Sequence, residues 1–419
     1  MRKMRDSGID WIGTIPQDWQ LSKIGSLYTQ RNEKVSDKDY QPLSVTMQGI
    51  LPQLATAAKT DDGDNRKLVR VGDFAINSRS DRRGSCGISP LDGSVSLINI
   101  ILTPRTAMHP GYYNWLFHTT LFADEFYKWG HGIVADLWTT RWQEMKSITV
   151  PVPEYAEQER IAAFLDAECA EIDAVLEKTR ASIEEYKKLK QAVITQAVTK
   201  GIRGDRPMKD SGIEWIGDIP AEWDVIRVKQ LLKERNERSK EGKEEPLSMS
   251  QKVGLVPTKF LESIPNMASS FVGAKLAYVD DLVFNKLKAH LGVFSVSRYD
   301  GLVSPDYAVY CSTGKSNLKY LEYIFKTPQC IGEFRKKSTG IAAGLMRLYT
   351  EGLFSIYLPY PALSEQEEIA EYLNEKCADI DALIAKKQQY LTEIENYKKS
   401  LIYEYVTGKK EVKTSVLAD

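Results

Sequence analysis

Two short basic runs, at 79–84 and 286–290, each follow a predicted β-strand and lie among turn-forming residues. Arginine can bind guanine through two hydrogen bonds in the major groove of DNA, and lysine contacts guanine or phosphate. A single charged cluster is usually a solvated loop, but these two runs occupy equivalent places in a repeated sequence. We therefore predict that both contact nucleic acid. The basic residues concerned are Arg79, Arg82 and Arg83 in the first run and Lys286, Lys288 and His290 in the second.

A second pair of candidate segments follows Gly132 and Gly340. Arg141 lies in the first segment, between aromatic residues, and Arg347 lies in the second, close to a tyrosine. The aromatic side chains of these segments could equally belong to the core. We predict Arg141 and Arg347 as further DNA contacts.

Residue patterns typical of catalysis are missing from the sequence. It contains no G-x-x-x-x-G-K phosphate loop and no Gly-rich cofactor fingerprint. Its four histidines are isolated and lack metal-ligand spacing. Glu157 and Glu365 begin long helical patterns, where a carboxylate favours the positive end of the helix dipole, so their predicted role is structural. We predict no catalytic residue and no metal site.

The chain is a duplication. Residues 6–19 (DSGIDWIGTIPQDW) match residues 210–223 (DSGIEWIGDIPAEW) at ten of fourteen positions, with an offset of 204. Residues 157–176 match 365–384 at an offset of 208, so four residues entered the second copy between these blocks. Two copies of one unit predict internal two-fold pseudo-symmetry, which suits a long ligand such as duplex DNA.

Each copy is predicted to begin with a globular part of mixed α and β structure. Short β-rich stretches such as KLVRVGDFAIN and KLAYVDDLVFN alternate with turn signals. Helical patterns lie between them, around residues 112–128 and 317–336. The predicted fold class is therefore α+β, with a long helix after each globular part.

The two long helices carry apolar residues at alternating spacings of four and three, which is the heptad pattern of a coiled coil. The second helix leaves the second globular part, so it can pair with the first only by running back. We therefore predict an intramolecular antiparallel coiled coil, with Leu165 near Tyr405, Leu176 near Ile394 and Lys190 near Ile380. A helix packed on its own domain is the alternative. The predicted seam residues are Leu165, Cys169, Ile172, Leu176, Ile183, Tyr186 and Val193 in the first helix, and Leu373, Cys377, Ile380, Ile384, Leu391, Ile394 and Leu401 in the second.

Composition favours a globular cytoplasmic protein. Apolar residues make up 42% of the chain and charged residues 27%, and no apolar run approaches the ~20 residues needed to cross a bilayer. Five scattered cysteines without paired spacing suit a reducing compartment. The net charge of −1 is unusual for a protein that neutralises many phosphates alone, so a DNA reader of this charge needs partners.

The repeated SGI[DE]WIG-x-IP-x-x-W opening, the V-x-D-x-x-x-N strand and the P-x-P…EQ-x-x-I entry to a heptad helix resemble specificity subunits of type I restriction-modification systems. The resemblance covers nearly the whole chain, and the motifs occur twice in the same order. It implies two target recognition domains, each reading one half of a split, asymmetric DNA target, and a coiled coil that sets the gap. The implied domains are recognition domain 1 at 1–156, a long helix at 157–200, a linker at 201–209, recognition domain 2 at 210–364, a long helix at 365–407 and a tail at 408–419.

The resemblance also implies partners and cofactors. Two modification subunits would use S-adenosylmethionine to methylate adenine, and restriction subunits would use ATP and Mg²⁺, while this chain would be a non-catalytic subunit that binds no cofactor. A coiled-coil scaffold with two protein-binding domains and no DNA readout is the alternative function. A self-sufficient methyltransferase or nuclease is disfavoured by the missing motifs.

Overall fold

The structure is a computed structural model that describes residues 2–53, 62–79, 82–132, 138–251, 253–261, 270–340 and 346–413. The chain divides into two compact units. The first unit comprises residues 1–180 with 388–419, and the second comprises residues 181–387. Each unit therefore takes its share of both long helices, whereas the sequence-based ranges treat those helices as separate segments. Parts of the predicted basic loop (80 and 81), of the repeated glycine segments (133–137 and 341–345) and of the tail (414–419) lie outside the described residues.

The globular part of the first unit is built around a four-stranded antiparallel sheet in the order β10-β9-β12-β4. The hairpin of β6 and β7 covers one face of this sheet. Alternation places Leu43 and Ile50 of this hairpin inward, against Ala75 and Ile101 of the sheet. The strands are β1 Met4–Asp6, β2 Thr14–Pro16, β3 Gln20–Lys23, β4 Tyr28–Arg31, β5 Lys34–Val35, β6 Leu43–Thr46, β7 Gly49–Pro52, β8 Arg66–Val69, β9 Phe74–Asn77, β10 Cys86–Ile88, β11 Gly93–Val95, β12 Asn99–Pro104 and β13 Thr149–Val152.

Helices of the first unit pack on the opposite face of the sheet, in an aromatic core. The Phe74 and Phe117 rings lie 4.4 Å apart, and the Phe117 and Phe122 rings 4.7 Å apart. Thr119 caps the helix that carries Phe122, because its side chain accepts a hydrogen bond from the Phe122 backbone N–H. The helices are α1 Ile24–Leu27, α2 Pro110–Phe117, α3 Thr120–Lys128, α4 Trp142–Met145 and the long α5 Tyr155–Lys200.

The second unit repeats this plan. Its four-stranded sheet has the order β17-β24-β21-β22, and its aromatic core includes Phe284, Phe325 and Phe334. The strands are β14 Met208–Asp210, β15 Asp218–Pro220, β16 Asp224–Arg227, β17 Leu232–Arg235, β18 Leu247–Ser250, β19 Gly254–Pro257, β20 Lys275–Ala277, β21 Leu282–Asn285, β22 Phe294–Val296, β23 Gly301–Val303, β24 Tyr307–Ser312 and β25 Tyr357–Tyr360. The helices are α6 Leu318–Phe325, α7 Pro328–Lys337, α8 Thr350–Phe354 and the long α9 Leu363–Val406. The predicted α+β class is confirmed.

Within the first unit, α5 and α9 run antiparallel. The Phe164 and Tyr405 rings lie 4.4 Å apart, and Lys398 Nζ lies 2.6 Å from an Asp173 carboxylate oxygen. These pairs fall within one residue of the predicted alignment of Leu165 with Tyr405.

Within the second unit the same two helices are again antiparallel. Lys190 Nζ donates to Asp381 at 2.6 Å, beside the predicted partner Ile380, and the Lys387 ammonium lies over the Tyr186 ring. Throughout both helices the predicted seam positions are buried or half-buried, while most positions between them are exposed.

Candidate nucleic-acid interface

The first basic loop follows β9, and its residues 82–85 form a tight turn. The Asn77 side chain accepts a hydrogen bond from the Arg79 backbone N–H at 3.1 Å, and the Ser85 N–H donates to Arg82 O at 3.0 Å. Gly84 closes the turn with φ of 76°, a backbone conformation that glycine adopts without strain. The side chains of Arg79, Arg82 and Arg83 are exposed. The turn therefore presents three guanidinium groups to solvent.

Helix α3 positions one of these arginines. Arg83 forms an ion pair with Asp124 and lies over the Tyr127 ring, 5.9 Å from its centroid. The Tyr127 hydroxyl donates to the carbonyls of Asn77 and Arg82, at 3.1 and 3.3 Å. The Arg83 guanidinium is thus held over a ring that is itself tied to the loop backbone.

The second predicted segment of the first unit lies against this loop. The Thr140 N–H donates to Ser78 O at 3.0 Å, and Thr139 forms a β-bridge with Arg79. Arg141 is exposed, and its backbone N–H is capped by the Glu144 carboxylate at 3.0 Å. The structure therefore brings both candidate segments of this unit onto one surface.

The aromatic residues of that segment have structural contacts. The Trp138 indole N–H donates to Tyr127 O at 2.8 Å. Trp142 is half-buried and packs against the main core of the first unit. Of the two interpretations of these rings, the structural one fits their surroundings better.

The second unit joins its two candidate segments through the same backbone bond. The Leu348 N–H donates to Lys286 O at 3.0 Å, at positions equivalent to Thr140 and Ser78. Two of the predicted contacts are engaged within the unit: Lys286 Nζ donates to Pro305 O at 3.3 Å, and Arg347 lies 3.5 Å from the Asp306 carboxylate.

The remaining two candidates of the second unit differ in exposure. Lys288 is exposed, whereas His290 is half-buried in a short 3₁₀ turn. His290 Nδ1 is buried and has no hydrogen-bond partner among the residues that the structure describes.

The two basic loops share features of their backbone but differ in charge pattern. The side chains of Asn77 and Asn285 accept the same backbone hydrogen bond at the start of each loop, and Gly292, with φ of 78°, stands where Gly84 stands, so the two sequences align without a gap. In this alignment Arg82 corresponds to His290, while Arg79 and Arg83 correspond to leucines. One frame therefore carries two different sets of side chains.

Hairpin tips adjoin both loops, and the sequence patterns did not single them out. In the first unit Thr46 and Gly49 are the last paired residues of the hairpin, so Met47 and Gln48 form its tip. Met47 is 71% exposed. The tip lies so close to β10 that a Cβ on Gly87 would be 2.9 Å from Gly49 Cα.

The corresponding hairpin of the second unit reaches its loop directly. The Gln251 side-chain amide donates to Leu291 O at 3.1 Å, and Val253 is 62% exposed. The available signal was the alternation of LSVT and LSMS before a glycine, which marks a hairpin but does not show what its tip touches.

A repeated clamp fixes the start of each long helix. In the second unit the Trp223 indole N–H donates to Glu365 at 2.9 Å, and Arg206 pairs with the same carboxylate at 2.8 Å while its guanidinium lies over the Trp223 ring. In the first unit Trp19, Glu157 and Arg2 form the same arrangement. The hydrogen bond that Arg2 donates to Glu157 is the largest cause that raises the pKa of Arg2.

The glutamine after each of these glutamates is also structural. Gln158 accepts from the His109 N–H and donates to Pro153 O, and Gln366 does the same with Asn317 and Pro361. The EQ pairs therefore join the opening segment, the globular core and the helix of each unit. Their predicted structural role fits these contacts, although the contacts involve more than the helix dipole.

No group of three or more histidine, cysteine or acidic residues in the described part of the chain is arranged to hold a metal ion. Among the described helices, none combines the length and apolar character that crossing a membrane requires.

This duplicated α+β fold, with paired long helices and two basic surfaces, is the fold of type I specificity subunits. No family model matches the chain. The MjaVIII type I restriction enzyme specificity subunit of Methanocaldococcus jannaschii is 23% identical over 429 aligned residues, which cover 95% of this chain and 94% of that one. The predicted kinship with type I specificity subunits is thereby confirmed.

Solved structures agree in fold. A chain from work on the structural basis of complex assembly and conformational transition of the type I R-M system has a TM-score of 0.72 at 13% identity, covering 94% of this chain and 99% of that one. The HsdS subunit from Thermoanaerobacter tengcongensis has a TM-score of 0.53 at 15% identity, covering 94% and 98%.

Proposed function

We propose that this chain is the DNA sequence-specificity subunit of a type I restriction-modification complex, with each unit reading one half of an asymmetric bipartite target. The observation that carries the proposal is the pair of equivalent surfaces around Ser78 and Lys286, which have the same backbone hydrogen bond to the second candidate segment of their unit and differ in charge. Base-edge contacts specify sequence whereas phosphate contacts position the protein, so two differently substituted surfaces suit two different half-sites.

The spacing between half-sites is assigned to the long helices. Their antiparallel pairing is seen within each unit, and heptad packing makes a stiff rod. On this proposal the length of the rod determines the number of base pairs between the half-sites.

Catalysis is assigned to other subunits. The chain would work with two modification subunits, which use S-adenosylmethionine to methylate adenine, and with restriction subunits, which use ATP and Mg²⁺. The net charge of −1 supports this division, because partner subunits would then supply much of the positive surface that surrounds DNA.

Salt-dependent DNA binding tests the proposal. The full chain with its modification subunits is mixed with duplex DNA at increasing salt concentrations, and the dissociation constant is measured. We expect the affinity to fall by orders of magnitude between about 50 and 200 mM salt, because neutralised phosphates release counterions. A flat response, with no preference among DNA sequences, would instead favour a protein-binding scaffold.

A further inference from the structure

The hairpin tips at 46–49 and 250–254 combine features that a solvated turn does not need. Each presents a well-exposed apolar side chain, Met47 in the first unit and Val253 in the second. Isolated exposed apolar residues are common on protein surfaces, so exposure alone carries no meaning. Here an exposed apolar residue recurs at the tip of the equivalent hairpin in both copies, although its type, its position within the turn and the length of the turn differ.

Hydrogen bonds within the first tip hold its backbone turn. In the first unit the Thr46 hydroxyl donates to Gly49 O at 2.9 Å and accepts from the Gln48 N–H at 3.1 Å. Behind the tip, Leu43 and Ile50 are buried against the sheet. Met47 therefore projects from an ordered ribbon.

The tips also lie beside the basic loops. Gly49 approaches Gly87 at the strand that follows the loop of Arg82 and Arg83, and Gln251 is hydrogen-bonded to Leu291 O. A cationic surface next to an apolar tip matches the major groove of DNA, which is flanked by phosphates and wide enough for a two-stranded β-ribbon. The apolar feature in that groove is the C5-methyl group of thymine.

We propose that the two hairpin tips enter the major groove and that Met47 and Val253 contact thymine methyl groups, one in each half-site. Gln48, next to Met47, has the amide that pairs with adenine N6 and N7. This inference rests on the proposed function and assigns specificity-determining residues to it. It gives each half-site a readout that does not depend on arginine or lysine.

Replacing thymine by deoxyuridine tests the inference, because this removes only the methyl group. The target is first defined by mapping methylated adenines in DNA modified by the complex. Duplexes that carry the target are then made with deoxyuridine at one thymine position at a time, on either strand. Binding by the complex is measured for the wild type, Met47→Ala and Val253→Ala.

For the wild type we expect about a 3- to 10-fold loss of affinity at one or more thymines in each half-site, the scale of one buried methyl group. Met47→Ala should abolish this sensitivity in one half-site only, and Val253→Ala in the other. Matched controls are Val71→Ala and Val279→Ala. The two valines are 65% and 51% exposed and lie just before β9 and β21, whereas the basic loops follow these strands. Both controls should keep the wild-type response.

Three outcomes would overturn the inference and leave the proposed function standing: specific binding without sensitivity to deoxyuridine, sensitivity that survives both tip substitutions, or equal loss of sensitivity in the controls. A wild-type complex that binds all sequences equally would overturn the proposed function and this inference together.

Discussion

Arg83 is held by contacts within its own unit, and this makes the first basic loop a defined target for mutation. Arg83 is fixed by Asp124 and the Tyr127 ring, so its guanidinium is already ordered before DNA binds. A contact from an ordered side chain loses less conformational entropy on binding than one from a mobile side chain. We therefore expect Arg83 to contribute strongly to recognition.

Replacing Arg82 and Arg83 with alanine should weaken or relax recognition of one half-site and leave the other unchanged. The expected cost is about 1–3 kcal/mol for each lost base contact. The measurement is binding to duplexes substituted singly at each position of the target. Arg70→Ala is the control, because Arg70 is exposed and pairs with Asp92 at the other end of β9. An equal loss on every sequence would show that these arginines contact phosphate.

Glu365→Gln should destabilise the second unit more than Glu157→Gln destabilises the first. Glutamine can still accept from the Trp223 indole, but it leaves Arg206, whose side chain is 10% exposed, without this carboxylate. Breaking a buried ion pair costs about 3–5 kcal/mol, and because Arg206 keeps its pair with Glu222 at 2.9 Å, the expected loss lies below that range. The equivalent Arg2 side chain is 18% exposed, so more water screens its loss.

Urea unfolding followed by tryptophan fluorescence measures both changes. Glu368→Gln is the control, because its pair with Arg203 is exposed and should cost at most about 1 kcal/mol. Equal effects of all three substitutions would mean that the clamp adds nothing beyond surface charge.

The clamp could not be predicted from the sequence, although its tryptophans and glutamates lie in the repeated motifs. Trp19 and Glu157 are 138 positions apart, and neither residue type indicates the other as a partner. The three loop arginines are exposed, and their predicted contact with DNA stays a prediction. The engagement of Lys286 and Arg347 depends on Pro305 and Asp306, which no local pattern indicates.

At the scale of elements, burial within one helix separates seam positions from surface positions. Leu373 and Leu383 both lie on α9, but Leu373 is fully buried and Leu383 is 42% exposed. Leu373→Ala should lower the free energy of unfolding by about 2–5 kcal/mol, because it removes buried methyl groups and leaves a cavity. Leu383→Ala should stay within about 0.5 kcal/mol of the wild type.

Chemical denaturation of the two variants provides the comparison. If both substitutions lowered the free energy of unfolding equally, the heptad assignment of α9 would be wrong.

The elements with strong periodicity were predicted well. Heptads over residues 165–197 and 373–405 gave the long helices and the alignment of Leu165 with Tyr405, because a repeated spacing of this length has few other solutions. The hairpin tips were missed for the opposite reason. Two short strands around a glycine indicate a hairpin turn. The packing of Gly49 on Gly87 depends on how the whole sheet is assembled, and no local pattern shows it.

At the scale of the whole molecule, duplication followed by divergence explains which features are shared. The clamps, the EQ pairs and the bond from Thr140 to Ser78, with its counterpart from Leu348 to Lys286, recur in both units because they build the frame. The exposed side chains of the loops and tips differ. A frame that is kept while its exposed residues change allows two half-sites to be read by one architecture.

Lengthening the rod should therefore change the gap between half-sites without altering either half. One heptad inserted into each long helix, after Arg180 and after Lys387, keeps the 4-3 spacing and adds its residues where the two units divide. Seven residues add about 10 Å of helix, which is the rise of about three base pairs. Mapping methylated adenines in DNA modified by the lengthened complex should show the same half-sites with a gap about three base pairs longer. An unchanged gap would show that the helices do not determine the spacing, and a changed half-site would show that the insertion disturbed the recognition surfaces.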